Sequence, residues 1–471
     1  MGEAELAPTP PPQSTVALVK EAIRGSRRDL TGMPIGRSIL FLAVPMVLEM
    51  VMESIFALAD IFWVGRLGPQ AIATVALTEQ MLILVYTGAM GLAIGCSALV
   101  ARRIGEKEPD KAASAAFHGI LQGVVLGAVV AVLGIWLAPQ LLSLMGAEPG
   151  VMAGVSFTRV MLGGSVTVIL LFMINSAFRG AGDPAISMRV LAVANVINIV
   201  LGPCFIFGWG PFPKMGVTGA AVATTIGRGI GVLYQLRCLR RGSGHLRVRA
   251  QHLRYDGALM RTMLRLSGSG ILQLVIGNVS WLGLVRVITS FGTVALAGYQ
   301  IAIRIVLFAI LPSFGMASAA ATLVGQNLGA GHPERAERAV WRTSLYNVFI
   351  LGAVGVAFFV GADLWVSLFS KDPEVRRYGA LCLRIVAAGF PFYAFGMVTS
   401  MAFNGAGDTR TPTWINFFCF WLLEIPLAFL LSHSLRMGPT GVFISITVAF
   451  CSVAVISVVL FRRGAWKQVK V

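Results

Sequence analysis

The sequence predicts an all-α integral membrane protein, with twelve transmembrane helices in two six-helix lobes related by a pseudo-twofold axis along the membrane normal. Three observations predict it. Of 471 residues, 56% are hydrophobic and only 13% charged, about half the charge of an ordinary soluble domain. Apolar runs long enough to cross a bilayer core of roughly 30 Å recur along the whole chain. Short polar phrases also recur, at a nearly constant separation.

The elements follow in order. Residues 1–37 form a cytoplasmic tail. Its "APTPPPQST" is Pro-rich and polar, a composition that stays disordered. "KEAIRGSRRDL" reads as a short basic amphipathic helix on the membrane surface. No apolar core follows a basic stretch there, so no cleavable signal peptide is expected. Spans at 38–62, 71–100, 114–139, 154–178, 186–208 and 216–236 make the N-lobe, 38–236. Residues 237–265 are a basic, flexible linker between the lobes. Spans at 268–290, 296–324, 344–368, 380–402, 413–433 and 439–461 make the C-lobe, 266–461. Residues 462–471 are a second cytoplasmic tail. Backbone groups in lipid must be satisfied within the segment, which a helix does. The roughly ten-residue alternation of a membrane barrel is absent.

A net charge of +17 raises the question of nucleic acid, and its distribution answers it. An even number of spans puts both termini on one side. Segments on that side hold 27 Lys and Arg. The opposite loops hold six: Arg66, Lys214, Lys371, Arg376, Arg377 and Arg436. The positive-inside rule places both termini in the cytoplasm of a cell (plasma or inner) membrane. "LRCLRRGSGHLRVRAQHLR" is then a linker beside anionic lipid, and no nucleic-acid partner is expected. The six cysteines (96, 204, 238, 382, 419 and 451) have no paired spacing and read as free thiols.

The lobes come from the repeat. "FRGAGD" (178–183) returns as "FNGAGD" (403–408), offset by 225. "GLAIGCSALVARRIGEKEPDKA" (91–112) aligns without gaps to "GMASAAATLVGQNLGAGHPERA" (315–336), offset by 224 and identical at seven of 22 positions. "MGVTG" (215–219) returns as "MGPTG" (437–441). Six spans per repeat return the chain to its starting side, so the halves are parallel repeats. The repeated glycines should end the fourth and tenth spans in αL geometry, and Asp183 and Asp408 should cap the helices that follow. Two bundles joined by a linker can rock about a central cavity, as alternating access requires.

Charge inside the membrane locates the chemistry. Glu49, Glu53 and Asp60 lie on the first span with spacings of 4 and 7, within about 40° of one another on one helical face. A carboxylate in a span is costly and usually functional; the bland alternative is an acidic patch paired purely for packing. Glu424 lies mid-span beside Pro426. It is a second protonation site, a counter-charge for substrate, or a buried Glu bonded to backbone freed by the proline. Gln273, Asn278, Gln300 and Asn416 line the cavity or hold helices together. Phe, Trp and Met residues on the cavity side would give an adaptable apolar surface.

The chain resembles the multidrug and toxic compound extrusion family over residues 38–465. The landmarks are "ADIFWVGRLG" (59–68), "FRGAGD" with "NVINIVLGPCFIFG" (195–208), "GVTGAAVAT" (216–224), "AGYQIAIRI", "LVGQNLGAG" and "NGAGDTRTP". The resemblance implies a secondary active exporter of amphipathic, often cationic, organic compounds in exchange for H⁺ or Na⁺, with no other cofactor. It carries the coupling site onto Asp60, Asn198 and Thr224. It also implies an aspartate just before the proline of the fifth span, where this chain has Gly202. Asp60, Asn198 and Thr224 alone offer few oxygens to a Na⁺ ion, which leaves H⁺ the preferred coupling ion and Na⁺ the alternative. Some members carry a glutamate in the seventh span, at the place of Asn278. Two lobes already enclose one path, so a monomer is expected.

Two rivals are weaker. A lipid-linked oligosaccharide flippase of related fold needs a strongly cationic cavity; Arg286, Arg304 and Arg384 lie in spans, but the clearest stripe is acidic. An intramembrane aspartyl protease needs two facing aspartates within spans. Asp183 and Asp408 sit instead in turns beside arginines, and no HExxH, Walker A or nucleophile elbow occurs. The chain is therefore read as a transporter and not an enzyme.

Overall fold

The computed structural model describes residues 14–469; most of the Pro-rich stretch lies outside them. Helix Thr15–Arg24 is capped by Ser14, whose side chain accepts from the Ala17 amide. It buries Leu18 and Ala22 against Ile39 and Leu42 of the first span, and leaves Lys20 and Arg24 exposed.

The N-lobe spans are Ile35–Gly65, Pro69–Gly105, Pro109–Leu144, Val155–Ala181, Pro184–Phe207 and Val217–Arg241. The C-lobe spans are Gly257–Thr289, Thr293–Gly329, Pro333–Val360, Pro373–Ala388 with Phe390–Ala406, Arg410–Ser434 and Pro439–Arg462. Among the described residues ten helices are long and apolar enough to cross a membrane, and the tenth span, bent by 55° at Gly389, makes an eleventh. The sixth span falls short by composition because it carries Arg228 at mid-length, yet it packs along the fourth and fifth spans like its neighbours. Proline opens the second, third, fifth, ninth and twelfth spans, where its missing N–H and fixed φ cost nothing.

The lobes meet as a twofold pair meets. The seventh span packs on the second and the first packs on the eighth, so each lobe's opening helix lies against the other's second helix. Glycine contacts repeat this residue by residue. A Cβ on Gly105 would strike the Gln326 carbonyl, and one on Gly329 would strike the Arg102 carbonyl. A Cβ on Gly91 would meet Ile271, and one on Gly315 would meet Met46 and Val47. Each pair keeps the offset of the repeat, which is the self-complementarity of an isologous interface.

The side-chain hydrogen bonds between the second and seventh and between the fourth and eighth spans lie from mid-height toward the end that holds the termini. Asn278 Nδ2 donates to Thr87 Oγ1 at 2.7 Å near mid-height. Beyond that level no hydrogen bond joins the lobes among the described residues.

The linker is docked, not slack. The His245 amide and ring Nδ1 contact Asp183 Oδ2 and Oδ1 at 2.5 and 2.8 Å. His252 meets Asp110 at 3.0 Å, and His118 Nε2 accepts from the Asp256 amide at 2.9 Å. Three histidines thus tie the linker to the N-lobe.

The repeated turns match in backbone and differ in use. Gly182 and Gly407 take φ of +88° and +86°, the left-handed ends expected of them. Gly180 and Gly405 pack on the Ser97 and Ala321 carbonyls, where no Cβ fits. Asp408 caps as expected: the Thr411 amide and hydroxyl donate to it at 3.2 and 2.6 Å. Asp183 makes no such cap, because both its oxygens are engaged by His245. All six cysteines are free.

Candidate functional site

The acidic stripe of the first span is not uniformly acidic. Glu49 is 2% exposed. Its Oε1 accepts from Arg179 Nη1 at 3.1 Å and from Asn175 Nδ2 at 3.2 Å. Asn175 and Arg179 are four residues apart on the fourth span, hence on one face. Gln235 of the sixth span donates in turn to Asn175 Oδ1 at 2.5 Å. Glu49 Oε2 is buried with no hydrogen-bond partner among the described residues. The Arg179 side chain is only 13% exposed.

One turn further along, Glu53 faces Arg228 of the sixth span at 3.6 Å; the Glu53 side chain is 31% exposed and that of Arg228 only 7%. Arg228 donates to Tyr86 Oη at 3.0 Å and lies over the rings of Phe56 and Tyr86 at 5.2 and 5.8 Å. A buried cation needs this much company.

Asp60 is half-buried and makes no hydrogen bond or ion pair among the described residues. Asn198 and Thr224 come together, with Asn198 Nδ2 donating to Thr224 Oγ1 at 2.8 Å, and neither bonds to Asp60. Gly202 lies against the first span, where a Cβ would stand 4.0 Å from Trp63 Cδ1. Asn195 of the same helix donates to the Met52 carbonyl at 2.9 Å, fixing the fifth span against the first.

In the C-lobe, Glu424 is buried and accepts from Ser280 Oγ at 3.0 Å. It ends a stretch, Phe417–Glu424, wound as a π-helix, and Pro426 follows. Such widened turns often mark functional positions. Gln273 is buried with its Oε1 unpartnered among the described residues, and its carbonyl accepts from Asn416 Nδ2 at 3.4 Å. Asn278 spends its amide on the cross-lobe bond to Thr87. Gln300 is exposed on the eighth span.

Composition and spacing point to the carboxylates but miss their partners. Arg228 had a signal: it is four residues after Thr224 and shares its helix face. Arg179 had the same relation to Asn175.

The MatE family model matches this chain at residues 45–204 and 270–430, one match in each lobe. The chain is 26% identical over 437 residues to the probable multidrug resistance protein YoeA of Bacillus subtilis, covering 92% of this chain and 94% of that one. It is 26% identical over 430 residues to the FAD transporter of Shewanella oneidensis, covering 86% and 90%. A solved multidrug resistance MATE family transporter in an outward-facing conformation is 25% identical. It superposes with a TM-score of 0.86 over 93% of this chain and 98% of its own.

Proposed function

This chain belongs to the MatE family, and we propose that it exports amphipathic organic compounds, often cationic, in antiport with H⁺ by alternating access. Among the described residues the hydrogen bonds between the lobes lie from mid-height toward the end that holds the termini, the end that the basic loops assign to the cytoplasm, and this supports an outward-facing state. Asp60 carries the reading. Of the three stripe carboxylates it alone has no hydrogen bond or ion pair among the described residues. It is therefore the carboxylate free to exchange its ion when a substrate enters.

Asn198 and Thr224 flank the coupling site, with Glu53 and Arg228 beside it. Glu49 belongs to the same face but is sealed by Arg179. Glu424, Gln273, Asn278 and Gln300 are the C-lobe candidates for substrate contact. Asp60, Asn198 and Thr224 together offer few oxygen ligands for a Na⁺ ion, which favours H⁺ over Na⁺. The flippase reading asks for unpaired cations in the cavity. Arg179 and Arg228 are paired with glutamates and Arg384 with Asp363, which leaves Arg286 and Arg304 without an ion pair among the described residues; the efflux reading is preferred because the clearest span charges remain acidic.

The test is efflux from proteoliposomes under an imposed pH gradient or Na⁺ gradient, with a fluorescent organic cation as substrate. The expected result is efflux driven by the pH gradient and several-fold or more slower in Asp60→Asn. Efflux driven only by Na⁺ would reverse the choice of ion, and unchanged efflux in Asp60→Asn would remove Asp60 from the coupling site.

A further inference from the structure

Arg179 belongs to two structures at once. Its guanidinium is held inside the N-lobe by Glu49, while its main chain lies in the seam between the lobes. Thr322 Oγ1 of the eighth span donates to the Arg179 carbonyl at 3.1 Å, and Gln326 Nε2 donates to the Gly180 carbonyl at 3.0 Å. These are the only hydrogen bonds from an eighth-span side chain to the fourth span among the described residues. Gln326 is doubly fixed, since its own carbonyl is the atom that leaves Gly105 no room for a Cβ.

The pseudo-twofold axis supplies an internal control. The offset of 224 carries Glu49 onto Gln273, and that of 225 carries Arg179 onto Asn404. Neither is charged, and Gln273 Oε1 and Asn404 Oδ1 are both buried without a partner among the described residues. The offset carries Thr322 back onto Ala98, which has no donor, and Gln326 back onto Arg102, which reaches the Val469 carbonyl instead at 3.2 Å. The seam is therefore hydrogen-bonded through the turn whose arginine is pinned, and not through its neutral copy.

We propose that the Glu49–Arg179 ion pair is the latch of the closed end. A charged Glu49 holds Arg179 so that the carbonyls of residues 179 and 180 present themselves to Thr322 and Gln326 of the other lobe, and neutralising Glu49 releases that seal. Glu49 is on this view a positioning residue that acts through Arg179, distinct from Asp60. The coupling is local. The guanidinium and the two carbonyls belong to the last turn of one helix, so a shift of the side chain that anchors this turn moves both acceptors. Hydrogen bonds weaken steeply with such misalignment. The inference rests on the alternating-access reading.

Its test reads distance rather than transport. Spin labels at Lys111→Cys and Arg338→Cys place one probe on each lobe at the closed end, in a full-length background with Cys204 and Cys451 replaced. The expected result is one short distance in the parent. Glu49→Gln should raise a longer, open population several-fold, and Glu49→Asp should largely restore the short one. Thr322→Val removes a cross-lobe donor without touching charge, and should shift the population the same way by less. A parent-like distribution in well-folded Glu49→Gln would overturn the latch, whatever happened to efflux. If Glu49→Gln does not fold, Thr322→Val decides, and no shift there overturns it equally. Lost efflux with unchanged distances would assign Glu49 to ion coupling instead. Shifted distances in a protein that moves no substrate would keep the latch and sink the transport reading.

Discussion

The two lobes share a backbone and differ in what they bury. Glu49, Glu53 and Asp60 on the first span correspond, at the offset of 224, to Gln273, Gly277 and Leu284 on the seventh. The Asn175–Gln235 bond at 2.5 Å corresponds to Ser400–Ser457 at 3.3 Å. Arg228, boxed by Tyr86 and Phe56, corresponds at the offset of 222 to Phe450, which packs on Tyr393 with ring centroids 4.2 Å apart. The N-lobe is wired with ions where the C-lobe is filled with apolar and neutral side chains. The one carboxylate of the C-lobe interior singled out here, Glu424, sits on a different helix, in the widened turn before Pro426. Duplication therefore preserved the surfaces that must fit, the glycine contacts above all, and left the lobe interiors free to specialise.

The sharpest way to break this comparison is to make the same cut on both sides. Arg179→Ala leaves Glu49 as a buried charge without its counter-ion, and should cost about 3–5 kcal/mol of stability. Asn404→Ala removes one neutral amide that already has an unpartnered oxygen, and should cost about 1 kcal/mol or less. Thermal unfolding of the two purified variants in one detergent measures the difference. Equal losses would mean that the Glu49–Arg179 pair is no more than packing.

The next effect concerns transport. Asp60→Asn should lower gradient-driven efflux by roughly 5- to 150-fold, the range that a lost coupling free energy covers. Leu284→Asn, at the matching place in the C-lobe, should retain most of it. If the two variants behave alike, the functional asymmetry of the lobes fails even though the structural one stands.

What the sequence made legible follows the same division. Hydropathy and charge placement suffice for the spans because a bilayer punishes any error in them. The sixth span is the least apparent, since Arg228 spoils its composition. The duplicated phrase is legible as a pair of helix-ending turns, because Gly182 and Gly407 answer to local backbone geometry. The two aspartates look alike in sequence, yet only Asp408 caps the helix that follows. Nothing within a few residues of Asp183 announces His245, 62 positions away. The stripe was legible by helical spacing, whereas its neutralisation by Arg179 and Arg228 depends on which helices are neighbours, a tertiary fact.

The smallest predicted effect separates the two turns by pH. His245 is mostly buried, which disfavours its charged form, but the hydrogen bond and the charge of Asp183 outweigh this and raise its pKa above the ordinary 6.5. A histidine whose folded pKa is raised stabilises the docked state fully below its unfolded pKa, and loses that contribution as pH rises through the folded value. Docking of the linker at His245 should therefore weaken as pH climbs from about 6.5 through the raised value. Amide hydrogen exchange over residues 242–256, corrected for intrinsic rates, should speed up a few-fold across that window in the parent. In Asp183→Asn it should be fast at both ends and nearly flat. Asp408→Asn should leave the linker's profile as in the parent, because Asp408 holds its own Thr411 and no histidine. A linker whose exchange ignores both pH and Asp183→Asn would show that its docking rests on His252, His118 and main-chain contacts, and that the two turns differ in partner but not in consequence.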